Sequence, residues 1–272
     1  MMGKLLTILL LISMVAKPVE KYYVTFVKGT IVLDRTKKAV KIGDALDPQD
    51  KLVFGDKTAK LSCISPSKGR FDINAQSVKA GNKGELFAVL QSSLVPATGT
   101  YHLSTRSLAE PTVNPETYFK TDTDDHFLIV ENEWIPINDQ YSVKGGNFFF
   151  IQYSINGKTV LKKLPAQGNA IAFNKGIFIN ESGAVLNSDS YVSTMLCFQE
   201  VTSGSPKSKV VAKFTPVVVD KAEIVSELGV LRNNLQQLYP NNNNAVKKEL
   251  YAHLAANYGT VNPNLFEVLC RN

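Results

Sequence analysis

The densest run of groups able to do chemistry is TDTDDH, where Asp122, Asp124, Asp125 and His126 bring three carboxylates and an imidazole together. Hard oxygens with one imidazole suit a divalent cation. These four are therefore the candidate metal ligands, and a metal held there would make the chain a metal-dependent hydrolase. A calcium loop is not completed, because no glycine occupies the sharp-turn position and Asn132 and Glu133 do not restore the spacing to a closing bidentate glutamate. A tetrahedral zinc site would need further ligands from elsewhere in the chain. A solvated loop leading into the strand FLIV accounts for the same residues.

Nucleophilic catalysis needs a nucleophile, a base to activate it and a group to orient the base. The chain has three histidines, His102, His126 and His253, and three cysteines, Cys63, Cys197 and Cys270. No GxSxG, HExxH, SxxK or phosphate-binding loop occurs. Cys197 and His126 fall on strands that are able to neighbour each other, a pairing that two unrelated strand positions also produce by chance. The cysteine spacing excludes a CxxC metal or redox motif. Cys63 and Cys197, in the apolar runs KLSCI and MLCF, read as buried thiols. No cofactor is implied.

Aromatic residues offer a different chemistry, that of binding. Phe148, Phe149, Phe150, Tyr153, Phe173 and Phe178 are close in sequence, and Trp134 is the only tryptophan. The candidate ligand contacts among them are Trp134, Phe149 and Tyr153. Strand alternation sends Phe148 and Phe150 to one face and Phe149 to the other, so one of those faces is expected to be core.

The elements that must position these groups are mostly strands. From Tyr22 to about Ile73 short runs rich in β-branched and aromatic residues (YYVTFVKG, TIVLD, KLVFGD, AKLSCIS) are parted by turn signals at Gly43-Asp44, Pro48 with Asp50, Gly55-Asp56 and Pro66 to Gly69. A small barrel or sandwich follows. Val27, Gly29, Ile31 and Val32, then VKIGDAL at 40–46, KLVFGDKTAKL at 51–61 and Gly69-Arg70-Phe71 carry a likeness to one family: this stretch resembles the FecR-like β domain of bacterial envelope sensors. The resemblance covers residues 22–73 and implies an envelope-located β module that binds something. The transmembrane signalling role of sigma-factor regulators is not implied, because only some 20 residues precede the domain here. Residues 81–125 read as a connector with a short helix at Glu85 to Ser92, and Pro96, Pro111 and Pro115 oppose regular structure across it. A second β region, 126–218, contains the clearest hairpin, Asn156-Gly157 between Phe148 to Ile155 and Lys158 to Leu164. Both residues tolerate the positive φ that a type I′ turn demands. An antiparallel sandwich is the expected arrangement.

Beyond residue 218 the apolar period changes to that of a helix. Asp220 and Glu223 have capping-box spacing, and Ile224, Leu228, Leu231, Leu235 and Leu238 follow at intervals of four and three. Pro240 stops this helix, and Ala245 to Tyr258 form a second one closed by Gly259, so 219–272 is expected to be a helical hairpin. Leu228, Leu231 and Leu235 either pack inward or make the seam of a homo-oligomer.

At the start of the chain, Lys4, the apolar run Leu5 to Val15 and Ala16 have the outline of a signal peptide, residues 1–16. Met14 fits the small position before the cut poorly, which leaves an uncleaved anchor open. A membrane span needs about 20 apolar residues and this run is roughly half that, so no span is expected once the signal is removed. The 272 residues, 44% of them hydrophobic, are enough for two packed domains. The net charge of +6 comes from scattered lysines without an aromatic-basic platform, so nucleic acid is not an expected partner. The sequence thus predicts a mainly β protein with a small N-terminal β barrel or sandwich, a second antiparallel sandwich and a C-terminal helical hairpin. Its expected role is that of an exported, non-catalytic envelope or periplasmic binding or sensor-type protein for a glycan, a peptide or a partner protein. An exported hydrolase and a structural oligomerising subunit are the alternatives.

Overall fold

The computed structural model describes residues 20–75, 112–121, 126–180, 182–186, 190, 192–202 and 205–271. The chain divides into two compact units, 1–96 and 97–272. It is mainly β, built of several sheets with C-terminal helices, and neither unit is a closed barrel.

The first unit contains β1 (Tyr22–Lys28), β2 (Ile31–Leu33), β3 (Lys38–Ala39), β4 (Ala45–Leu46), β5 (Leu52–Phe54), β6 (Lys60–Ser65) and β7 (Gly69–Asn74). They form two antiparallel sheets, in the orders β4-β1-β6-β7 and β3-β2-β5. Each sheet sends apolar side chains into one core: Tyr22, Val24, Leu61 and Phe71 from the first, Ile31 and Leu52 from the second. Neither sheet is stable alone, and burial of these faces against each other holds the sandwich together. A register shift between Val24 and Phe26 interrupts the β1–β6 pairing, so β1 departs from strict alternation and Thr25 is buried beside Val24.

The second unit begins, among the described residues, with a segment expected to be only a connector. Asn114 caps a one-turn helix, α1 (Pro115–Tyr118), by accepting from the Glu116 N–H, and Phe119 behind it is fully buried. Phe119 stacks on Phe214 with centroids 4.9 Å apart and also meets Phe127 and Phe173. This aromatic cluster fastens residues 112–121 to the second core.

Strands β8 (His126–Val130), β9 (Ile135–Pro136), β10 (Phe148–Ile155), β11 (Lys158–Lys163), β12 (Ala166–Gln167), β13 (Ala170–Ile171), β14 (Val192–Thr202), β15 (Ser205–Lys213) and β16 (Thr215–Val219) make up the rest of the β body. The principal sheet is antiparallel, in the order β11-β10-β14-β15. Its β10–β11 hairpin turns at Asn156 (φ 50°) and Gly157 (φ 76°), the two positive values that a type I′ turn requires. The expected antiparallel pairing is present in this sheet, and beside it β16 pairs with β8 in parallel.

Three helices follow. In α2 (Lys221–Leu238) the Asp220 carboxylate caps the N-terminus by accepting from the Ala222 and Glu223 N–H groups. Next come α3 (Asn243–Tyr258) and a helix beyond the expected hairpin, α4 (Pro263–Arg271), which buries Leu265, Phe266 and Leu269. Gly259, which ends α3, has φ 84°, and a Cβ there would lie 2.5 Å from the His126 carbonyl oxygen. That close approach lets Thr260 donate to the His126 carbonyl and accept from Leu128 N–H, so the segment after α3 lies alongside β8. No helix among the described residues is long and apolar enough to cross a membrane.

Candidate functional site

Among the described residues, the first unit carries an open groove of about 580 Å³, a size within the range of small-ligand pockets. Two turns build it. In the β2–β3 turn, Leu33 O accepts from Thr36 N–H and Lys37 N–H, and Lys37 takes a left-handed φ of 55°. Arg35 leaves this turn toward Asp50, whose almost fully buried carboxylate receives Arg35 Nε at 2.6 Å and Asp47 N–H at 2.8 Å. The hydrogen bond and the charge of Asp50 raise the already high pKa of the guanidinium, so Arg35 is a fixed cation.

The second turn runs from Lys41 to Asp44. The Lys41 N–H donates to the Asp44 carboxylate at 2.8 Å, while Gly43 N–H and Asp44 O bond to the two backbone groups of Val24. This is the Gly-Asp followed by Leu46 that the sequence marks as a turn. It delivers Leu46 to the core (1% exposed) and leaves Asp44 exposed at the rim.

Between the turns, Leu33, Ala39, Ala45 and Leu46 supply an apolar lining and Arg35, Lys38 and Lys41 a basic one, with Thr36 and Asp44 as the remaining polar groups. Neither Lys38 nor Lys41 has an ion pair among the described residues. Strands β3 and β4, which flank the groove, are each the last strand of a sheet, with a neighbour on one side only among the described residues. The site therefore offers cations, an apolar floor and unpartnered strand edges, which is equipment for binding.

Comparison with known protein families, curated proteins and solved structures finds no match. The groove is accordingly read from its chemistry alone.

The residues proposed from sequence are not brought together there. Asp122, Asp124 and Asp125 lie outside the described residues. His126 opens β8, where its carbonyl accepts from Thr260 N–H. Among the described residues, no three His, Cys, Asp or Glu side chains are arranged to hold a metal. Phe149 (1% exposed) and Tyr153 (0%) are core residues, which corrects their reading as ligand contacts. The alternation places both on the inner face of β10, and the Tyr153 hydroxyl is spent on the Ile177 and Ile179 carbonyls. Trp134 is 44% exposed, next to the Glu133–Lys221 ion pair. Leu228, Leu231 and Leu235 are buried within the chain, so the leucine stripe is consumed by internal packing and leaves no seam for a second copy. All three cysteines are free thiols, and burial raises the pKa of each.

Two polar clusters of the second unit escaped sequence reasoning. In the first, Glu227 on α2 accepts from the Tyr258 hydroxyl at 2.6 Å and pairs with His253 Nε2 at 2.5 Å, both from α3. Glu227 and His253 are sealed from solvent. Burial, and then the Glu227 charge, raise the Tyr258 pKa, keeping its hydroxyl a donor. The signal was present in the helical period: Glu227 stands in the buried stripe with Ile224, Leu228 and Leu231, a position where a charge needs a buried partner. In the second cluster, Lys209 on β15 donates to Glu116 at 2.6 Å and to the Tyr141 hydroxyl at 2.9 Å, and Tyr141 donates to Glu116. Lys209, then Tyr141, hold the Glu116 carboxyl below its ordinary pKa. Both clusters join distant segments of one unit.

Proposed function

We propose that the chain is an exported, non-catalytic binding protein of the cell envelope, and that the groove between β3 and β4 is where its first unit takes a glycan, a peptide or a segment of a partner protein. The observation that carries this reading is a pair of lysines, Lys38 and Lys41, with no ion-pair partner among the described residues, bordering an apolar depression at the outer strands of two sheets. Desolvated apolar surface supplies affinity, and the cations select ligands of opposite charge and speed their arrival. The signal-like N-terminus supports export, and the FecR-like pattern at 22–73 supports an envelope role. The second unit serves in this reading as the body that carries the module.

The test is retention from envelope extract by the immobilised chain beginning at Lys17, compared with the Lys38→Glu/Lys41→Glu variant. A component held by the first and lost by the second supports the groove. Equal retention by both moves the binding surface elsewhere, and steady turnover of an envelope substrate by the purified chain refutes the non-catalytic reading.

A further inference from the structure

We infer that the ligand of the groove is an extended acidic peptide segment, one that alternates carboxylate and apolar side chains and lies along the open edges of β3 and β4. This rests on the reading of the groove as the binding site, and it names the class of ligand.

Three observations converge on it. The groove is bordered by the terminal strand of each sheet, and among the described residues nothing pairs with the backbone N–H and C=O groups on its outer side. Among envelope ligands, an extended peptide is the one that can match such an edge group for group. Lysine on an edge ordinarily discourages strand pairing. Here Lys38 and Lys41 border an apolar floor and have no ion-pair partner among the described residues, so a strand that brings carboxylates of its own converts that repulsion into attraction. The two kinds of lining also match the strand's own period. Successive side chains of an extended peptide point to opposite sides, so one set can face the cations while the other meets Leu33, Ala39 and Ala45. A glycan is disfavoured by the same lining, which contains no aromatic ring for a sugar face to stack on. Asp44, the one acid of the lining, sets polarity along the groove by repelling a carboxylate at its own end.

The experiment is fluorescence anisotropy with the full chain and a labelled peptide of alternating glutamate and valine, at low and at physiological salt. Three comparisons accompany it: the same peptide N-methylated at alternate backbone nitrogens, an oligogalacturonate as competing carboxylated glycan, and the Lys38→Glu/Lys41→Glu variant. Lys158→Glu/Lys162→Glu in the second unit serves as the charge-matched control. The expected result is saturable binding that weakens with salt, falls at least tenfold in the Lys38/Lys41 variant and on N-methylation, and stays within about threefold in the control. Peptide binding that tolerates N-methylation, or displacement by oligogalacturonate at equal carboxylate concentration, overturns the strand-pairing inference and leaves the groove as a general anion site. If the peptide and the glycan both ignore the Lys38/Lys41 substitutions, the groove reading fails as well.

Discussion

Replacement of Glu227 by alanine should cost the second unit about 3–5 kcal/mol, the usual penalty for breaking a buried hydrogen-bonded pair by removing one partner. The structure allows an independent count. The substitution strips partners from two groups, the imidazole of His253 and the hydroxyl of Tyr258. Each of the two loses a hydrogen bond to a carboxylate, worth about 1.5–3 kcal/mol, which together brackets the same range. In a domain of this size about 1 kcal/mol moves the midpoint by roughly 2–4 °C, so a fall of about 6–20 °C is expected. Trp134, the single tryptophan, belongs to the second unit and makes its fluorescence a reporter of that unit's unfolding. The decisive comparison is with the triple variant Glu227→Leu/His253→Leu/Tyr258→Phe. The triple removes the imidazole and the hydroxyl together with the carboxylate and takes from the half-buried Asn257 amide only its bond to His253, so it should be more stable than Glu227→Leu alone. A loss below about 1 kcal/mol for Glu227→Ala, or a triple variant that is simply the sum of its single losses, would refute the account of this cluster.

Three further outcomes are expected. Gly259→Ala must place a Cβ 2.5 Å from the His126 carbonyl oxygen at a positive φ, whereas Gly157→Ala meets nothing within 4 Å; thermal melts should rank the first well below the second, the latter losing only about 1–2 kcal/mol. The Glu116 carboxyl has a lowered folded pKa, so its contribution is present at neutral pH and is lost as pH falls through that lowered value; the stability gap between the native chain and Glu116→Gln, measured by urea titration, should close below the ordinary carboxylate range. Cys63 and Cys197 are buried and Cys270 is partly accessible, so a thiol reagent should modify one cysteine per folded chain, and Cys270→Ser should abolish that fast phase.

What could be read from the chain was mostly local. Asn156-Gly157 announces a hairpin because only certain residues tolerate its dihedrals, and Asp220 with Glu223 announces a helix start because cap chemistry acts over three residues. The pairing of β8 with β16 was hidden, since the partners are separated by all of β9 to β15 and nothing in HFLIV specifies TPVVV. Helix α4 escaped because one short turn of period, Leu265 and Leu269 around Phe266, is a weak signal. The groove was illegible for another reason. Lys38 in a lysine doublet reads as a solvated charge, and only the two turns that bring it beside Lys41 and an apolar floor give it a different setting. Phe149 and Tyr153 show the converse: aromatic composition pointed to binding, while strand alternation assigned both to the core.

The pairing around β8 has a consequence for how the chain is made. Its neighbours, Thr215–Val219 and Thr260, come late in the sequence, so a chain emerging from its N-terminus holds HFLIV without a partner until nearly all the second unit has been synthesised. The pairings of the first unit among the described residues close within 20–75. Non-local closure of this kind slows folding. On the proposal that the chain is exported, such lateness would keep the larger part of the molecule unfolded while it is threaded through a translocation channel.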